Sequence, residues 1–265
     1  MREEREGGAT VGQNSSIEWT DHTFNPWWGC SKVSPGCQYC YAEALSNRYG
    51  HDIWGLRKAR RTFGEKHWQE PLKWHRRAQE HGRRMRVFCA SMADVFEDNR
   101  NIEDERNKLW LLIEETPMLD WLLLSKRPEN MRRFAPWQTA WPANVWAMTS
   151  VENQEQAEQR IPALLNVPAR LRGLSVEPLL GSVDLSSWLT AIGWVIVGGE
   201  SGPRARPMQL DWVRSLRDQC NDAGVPFFMK QMGSVWAKTN AAQSKGGAWS
   251  DLPEDLQIRQ LPDDI

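Results

Sequence analysis

A chain of 265 residues suits one large β/α domain, or at most two small ones, and buries enough surface to fold without disulfides. Hydrophobic residues make up 40% and charged residues 25%, and the net charge is −1, which is ordinary for a globular protein and gives no bulk-charge pointer to a partner. The first residues, MREEREGGATVGQ, lack a signal-peptide core and no run of about 18 apolar residues follows, so the sequence predicts no membrane partner and a cytoplasmic setting.

Residues 1–15 read as a disordered N-terminus. A first strand with its loop is expected between Ile17 and Cys40, then a short helix over Tyr41–Tyr49. Pro71 is placed for the first turn of a helix over Pro71–His81. A rhythm of short apolar runs follows, at Arg86–Ala90, Trp121–Ser125, Val145–Thr149, Leu171–Val176, Trp194–Val197 and Pro226–Met229, each read as a buried strand. Helical patterns lie between them. Ile102, Leu109, Leu112 and Ile113 share one face, as do Leu210, Val213 and Leu216 before the stop signal Gly224. Strands alternating with helices give the α/β class: a partial (β/α) barrel of six or seven parallel strands over 16–233, with a doubly wound open sheet as the rival. Residues 234–265 read as an irregular C-terminal tail with one short turn of helix.

The charge is unevenly spread. Residues 57–86 carry eleven Lys and Arg against three Glu, a local +8 against −9 elsewhere. Trp54, Trp68, Trp74 and three histidines are interleaved. Such a stretch suits a phosphate backbone with unstacked bases, or else a solvated helix face. The sixteen tryptophans are expected in the core or lining a cleft.

In parallel α/β folds the working residues sit where strands end. The segments there are polar: Ser91–Asp94, Ser125–Pro128, Thr149–Glu152, Ser175–Pro178, Gly198–Gly202, and Lys230 with Gln231. The densest chemical signal comes earlier. Cys30, Cys37 and Cys40 fall within eleven residues, in a loop that also holds Pro35 and Gly36. Cytosolic thiols stay reduced, so this cluster points to metal or catalysis. Three thiolates can hold three irons of a four-iron–four-sulfur cluster and leave the fourth open to an exogenous ligand. A zinc site with His22 or Cys89 as fourth ligand, and three metal-free core thiols, are the competing readings. Cys89 and Cys220 read as core residues.

Cys37-Gln38-Tyr39-Cys40 resembles the second half of the radical S-adenosylmethionine signature, with six residues rather than three between the first two cysteines. More closely, the chain resembles a phage and bacterial family of three-cysteine, radical-SAM-like proteins. The resemblance is carried by Trp19–Cys30, Leu174–Gly181, Gly198–Gly202 and Phe227–Gln231. It implies a 4Fe-4S cluster on Cys30, Cys37 and Cys40, S-adenosylmethionine as second cofactor, and Tyr39 beside the adenine. It further implies an electron donor of the reductase or flavodoxin type. Phage members of the family are implicated in thymidine hypermodification, a means of restriction evasion. That suggests an isomerase turning N-glycyl-thymidine into C-glycyl-thymidine, on DNA or a modified nucleoside, in the host cytoplasm.

On this reading Asp94, Glu177 and Glu200 are candidates for the cofactor's ribose or ammonium, and Ser91 and Ser175 for its carboxylate. Gly198 and Gly199 are either a cofactor contact or a tight turn. Lys126, Arg127 and Lys230 are candidates for a substrate phosphate or carboxylate. No residue is assigned a catalytic role. The alternatives are a radical SAM enzyme on another small substrate or damaged DNA, and a zinc-binding, non-enzymatic nucleic-acid module.

Overall fold

The computed structural model describes residues 11–13, 15, 17–243 and 245–262. The first part of the chain forms β1 (Val11–Gln13), β2 (His22–Phe24), β3 (Trp27–Trp28), α1 (Tyr41–Arg48), β4 (Arg61–Thr62), α2 (Glu65–Trp68) and α3 (Glu70–Glu80). A repeating series follows: β5 (Met85–Cys89), α4 (Glu103–Glu115), β6 (Leu119–Ser125), α5 (Met131–Phe134), β7 (Val145–Ser150), α6 (Gln154–Leu165) and β8 (Leu171–Val176). It closes with β9 (Trp194–Gly198), α7 (Leu210–Ala223), β10 (Phe227–Gln231) and α8 (Ser234–Thr239).

The main sheet has the order β1-β2-β5-β6-β7-β8-β9-β10. From β2 to β10 its seven strands are parallel, and β1 adds antiparallel to β2. A parallel sheet must be covered on both faces, which is why its strands read as near-continuous apolar runs. Alternate side chains serve two cores. Val87, Trp121, Leu123, Val145, Ala147, Leu174, Val195 and Phe227 pack outward under the helices. Phe88, Leu122, Trp146, Met148, Trp194, Ile196 and Phe228 point to the opposite, concave face. There Trp19, which precedes β2, meets Trp194 on β9 with ring centroids 6.1 Å apart, and Lys230 on β10 lies 6.0 Å over its ring. Contact between opposite ends of the strand order requires the sheet to curl. The structure is therefore the expected partial (β/α) barrel, and the doubly wound open sheet is set aside.

The helix ends follow local rules. Asn153 caps α6 by accepting from the Gln156 N–H, and Gly224 stops α7 in the left-handed region at φ 66°. The structure departs from expectation at both termini. Val11–Gln13, within the N-terminus expected to be disordered over 1–15, form β1; residues 1–10 and 14 lie outside the described part. The tail does more than wander. The Met229 N–H donates to Ile258 O at 2.8 Å and the Gln260 N–H to Phe227 O at 3.0 Å, so the tail covers the free edge of β10.

The basic segment is also corrected. Trp68 and Trp74 are 6% and 0% exposed, Trp74 stacking on His22 and Trp68 standing edge to face against Phe24, so they are core and not a platform for bases. Arg60 is buried too, whereas Arg57, Lys58, Lys66, Arg76 and Arg77 are exposed. Among the described residues no helix is long and apolar enough to cross a membrane.

Candidate iron–sulfur site

Because the seven strands are parallel, the segments after β2, β5, β6, β7, β8, β9 and β10 all emerge at one edge of the barrel. The cysteine loop follows β2 and crosses this mouth. Asn25 starts the crossing: its amide donates to Ser91 Oγ at 3.1 Å and its carbonyl accepts the Met92 N–H at 2.7 Å. Gly29 continues it at φ 111°, a conformation that disfavours side chains, and a Cβ there would collide with Ile53 O and Arg60. Further on, the loop presses on the end of β7 so tightly that a Cβ at Gly36 would overlap the Glu152 carboxylate.

The three cysteine sulfurs sit around the loops after β6 and β7, each against a different kind of donor. Cys30 Sγ lies 3.6 Å from an Arg127 guanidinium nitrogen. Burial, with Asp94 and Glu97 nearby, pushes this thiol up to about 12, and Arg127 opposes them. Cys37 Sγ is 3.7 Å from the Ser34 hydroxyl, which itself donates to Glu152 at 2.8 Å. Cys40 is the N-cap of α1. Burial raises its pKa, while the backbone N–H groups of Glu43 and Ala42 pull it down, and both Cys37 and Lys126 are within electrostatic reach. A helix N-terminus and a guanidinium each favour a thiolate over a thiol, whereas the Ser34 proton is given to Glu152. Cys89 and Cys220 are fully buried with their thiols held above the ordinary range by burial, as expected of core residues.

Buried charge holds the loop in place. Glu97, 3% exposed, accepts from Ser31 Oγ at 2.6 Å and from two Arg60 nitrogens at 3.0 and 2.7 Å. Arg60 in turn donates to Ile53 O, Gly55 O and Lys58 O. Glu152, 0% exposed, pairs with Arg160 at 2.9 Å and Lys126 at 3.1 Å. Burial alone would raise its pKa, but Lys126, Arg160 and the Ser34 hydroxyl outweigh burial and hold it below the usual carboxylate range. A depressed folded pKa stabilises the fold above the unfolded value of about 4.3, and that stability is lost as pH falls through the folded value. Glu152→Gln is therefore expected to cost about 3 kcal/mol at neutral pH. The gap to the unsubstituted protein should close at pH values below the ordinary glutamate range; urea unfolding from pH 7 down to acid checks this.

The predicted residues divide into two groups. Asp94 has both oxygens filled, by Phe96 N, Ser125 Oγ, Lys126 N and Arg127, so it organises the β6 loop rather than offering an open acceptor. Glu200 is likewise taken, accepting from the Arg206 side chain at 2.6 and 2.9 Å and from the Arg206 N–H at 2.7 Å. Arg206 also donates to Pro35 O at 3.0 Å, tying the cysteine loop to the loop after β9. Arg127 is 6% exposed and saturated by Asp94, Ser31 and Cys30, so it is not placed to meet a substrate phosphate. Lys126 is engaged by Glu152. Gly199 is a tight approach rather than an open surface, since a Cβ there would strike Met232 O.

The second group faces the mouth. Glu177 holds Lys230 at 2.5 Å and receives the Gln231 amide at 3.3 Å. Gly198 lies beneath Glu177, where a Cβ would come within 3.3 Å of its carboxyl carbon. Ser175 is buried one turn of the pleat before Glu177, and the Ser91 backbone carbonyl accepts from the Tyr41 hydroxyl at 2.8 Å. Tyr39 lies under the guanidinium groups of Arg204 and Arg206, 4.9 and 5.2 Å from its ring centroid. Together with Cys40, Tyr41, Leu45, Pro203 and Arg204 it lines a cavity of about 420 Å³ outside the cysteine loop. Sequence reasoning missed Asn25, Arg60, Glu97, Glu152, Arg160 and Arg206 as supports. Only Glu152 carried a signal, as the last residue of a polar strand-end segment.

Among the described residues, no group of three or more His, Cys, Asp or Glu is placed to hold a metal ion. A four-iron cluster makes a different demand, one thiolate for each iron, with inorganic sulfide completing the frame.

Residues 14–257 match the model of a family described as Protein of unknown function (DUF5131). No curated protein matches the chain. Among solved structures the chain is similar to spore photoproduct lyase. A variant with bound AdoMet and dinucleoside spore photoproduct aligns at TM-score 0.45 and 11% identity, over 76% of this chain and 61% of that one. The complex with dinucleoside spore photoproduct aligns at TM-score 0.44 and 13% identity, over 77% and 62%. A further variant aligns at TM-score 0.45 and 13% identity, over 79% and 74%. The chain thus spans about three fifths of the length of the first two.

Proposed function

The chain belongs to the DUF5131 family, and from its site we propose that it is an iron–sulfur enzyme of the radical S-adenosylmethionine type acting on a nucleobase. The observation that carries this reading is the cysteine loop. Three thiols lie on one loop at the barrel mouth, Cys30 against the Arg127 guanidinium, Cys40 at the start of α1 and Cys37 beside the Ser34 hydroxyl. That donor set suits three separate irons of a 4Fe-4S cluster held by Cys30, Cys37 and Cys40. Bound there, the cluster with S-adenosylmethionine would supply one-electron cleavage of a carbon–sulfur bond and a radical able to abstract hydrogen.

The chain's own residues do the rest. Arg206 and the Glu97–Arg60 pair fix the loop over the mouth. Trp19, Trp146, Trp194 and Phe228 give the concave face below it an apolar lining. Glu177, Ser175, Ser91 and the Gly198–Gly199 edge are our candidates for contacts to the cofactor's polar groups, with Tyr39 for its adenine. Lys230, held by Glu177, is the candidate for a substrate anion. The specific reaction proposed is isomerisation of N-glycyl-thymidine to C-glycyl-thymidine in hypermodified phage DNA, supported by the likeness in Trp19–Cys30, Leu174–Gly181, Gly198–Gly202 and Phe227–Gln231. A reductase or flavodoxin-type donor would supply the electron.

Anaerobic reconstitution with iron and sulfide tests the first step: a brown protein is expected, and a colourless protein with one zinc would favour a binding module. Addition of S-adenosylmethionine and a chemical reductant should then release 5′-deoxyadenosine, faster with N-glycyl-thymidine than with thymidine. Equal rates across a panel of modified nucleosides would sink the substrate assignment.

A further inference from the structure

We propose that Arg127 is a positioning residue for the metal site, hydrogen-bonded through its guanidinium to the Cys30 sulfur so that it holds that ligand and raises the reduction potential of the cluster. The inference rests on the iron–sulfur reading and goes beyond it by distinguishing Cys30 from the other two ligands.

Arg127 reaches Cys30 from 97 residues away, and its fork is fixed on every side. One terminal nitrogen lies 3.6 Å from Cys30 Sγ and 2.8 Å from Asp94 Oδ2. The other donates to Ser31 O at 2.8 Å and Ser31 Oγ at 2.9 Å, so it grips the residue next to the cysteine. Asp94 cannot follow a moving guanidinium, because Ser125 Oγ at 2.7 Å and the Phe96 N–H at 3.0 Å pin its other oxygen. Ser125 also accepts the Arg127 N–H at 2.8 Å. Ser31 is held in turn by Glu97 at 2.6 Å. The planar guanidinium presents five N–H donors in a rigid fork, so this one side chain meets a sulfur, a carboxylate and a backbone carbonyl at once.

This contact differs in kind from those at the other cysteines. Cys37 meets a neutral hydroxyl, and Cys40 meets backbone dipoles. A cationic donor on a ligand sulfur withdraws electron density and favours the reduced cluster, since hydrogen bonds to sulfur and local charge are principal settings of its potential. A purely structural Arg127, clamping Ser31 to Asp94, would affect folding and metal loading but leave the potential where it is.

Arg127→Met and Arg127→Lys, reconstituted anaerobically, are titrated with redox dyes and followed by visible absorbance and electron paramagnetic resonance. The midpoint is expected to move to more negative potential in both variants, further in Arg127→Met. An unchanged midpoint at unchanged iron content overturns the proposal. Should Arg127→Met fail to fold or load, Arg127→Lys decides by the same criterion. A wild-type chain that takes up no iron defeats the iron–sulfur reading instead. That outcome removes this proposal with it, and is told apart from a failure of the proposal alone by the iron content.

Discussion

Replacing any one of Cys30, Cys37 and Cys40 by alanine is expected to take the reconstituted protein from about four irons per chain to well under one, with loss of its visible absorbance. The effect should be all-or-none, because on the proposed iron–sulfur reading each thiolate would anchor a different iron. Ser34, the nearest hydroxyl, is already committed to Glu152. Cys89→Ala and Cys220→Ala are the internal controls. Both thiols lie in the outer core under helices, and these variants should load iron like the parent protein. Iron and sulfide assays after gel filtration decide the matter. Full loading of Cys30→Ala, or loss of loading in Cys220→Ala, would show that the wrong thiols were chosen.

Glu97→Ala is expected to cost about 3–5 kcal/mol of folding stability, the range for removing one partner of a buried ion pair. That is a large share of a typical total of about 5–15 kcal/mol. The reason is what stays behind. Arg60, with 1% side-chain exposure, would keep its charge among carbonyl oxygens without its carboxylate, and Ser31 would lose its acceptor at 2.6 Å. Since Ser31 neighbours Cys30, the same change should loosen the cysteine loop and lower metal retention. Urea unfolding of the apoprotein measures the first effect. In a double-mutant cycle, Arg60→Ala with Glu97→Ala should cost less than the two single changes added together, because the stranded charge is gone. Strict additivity would mean that the two groups do not act as a pair.

The sequence shows the barrel far better than it shows the site. Strands such as Leu171–Val176 and Trp194–Gly198 are legible because burial on both faces forces a continuous apolar run with abrupt polar ends. β2 is harder: only His22, Thr23 and Phe24 take strand geometry, and no period of two can emerge from three residues. The tail's pairing with β10 leaves no trace because its contacts run through backbone N–H and C=O groups, which every residue carries. The basic segment misled for a definable reason. Pro71, Trp74 and Ala78 stand at helix spacings i, i+3 and i+7, the mark of a buried face, and that mark outweighs the surrounding charge. At the mouth, the polar side chains gather at the strand-end segments that the sequence singles out. Which polar groups were already spent on one another depended on partners as distant as Ser31 with Glu97 and Arg206 with Pro35, and such pairings have no local spacing rule.

The floor of indoles under the mouth has a mechanical corollary. Trp19 and Trp146 each stand edge to face against Trp194, with Phe88 behind the first and Phe228 against the third. Trp194 is the shared contact of the set, so a displacement of that one ring reaches both neighbouring indoles at once. The concave face therefore gives way as a unit or not at all.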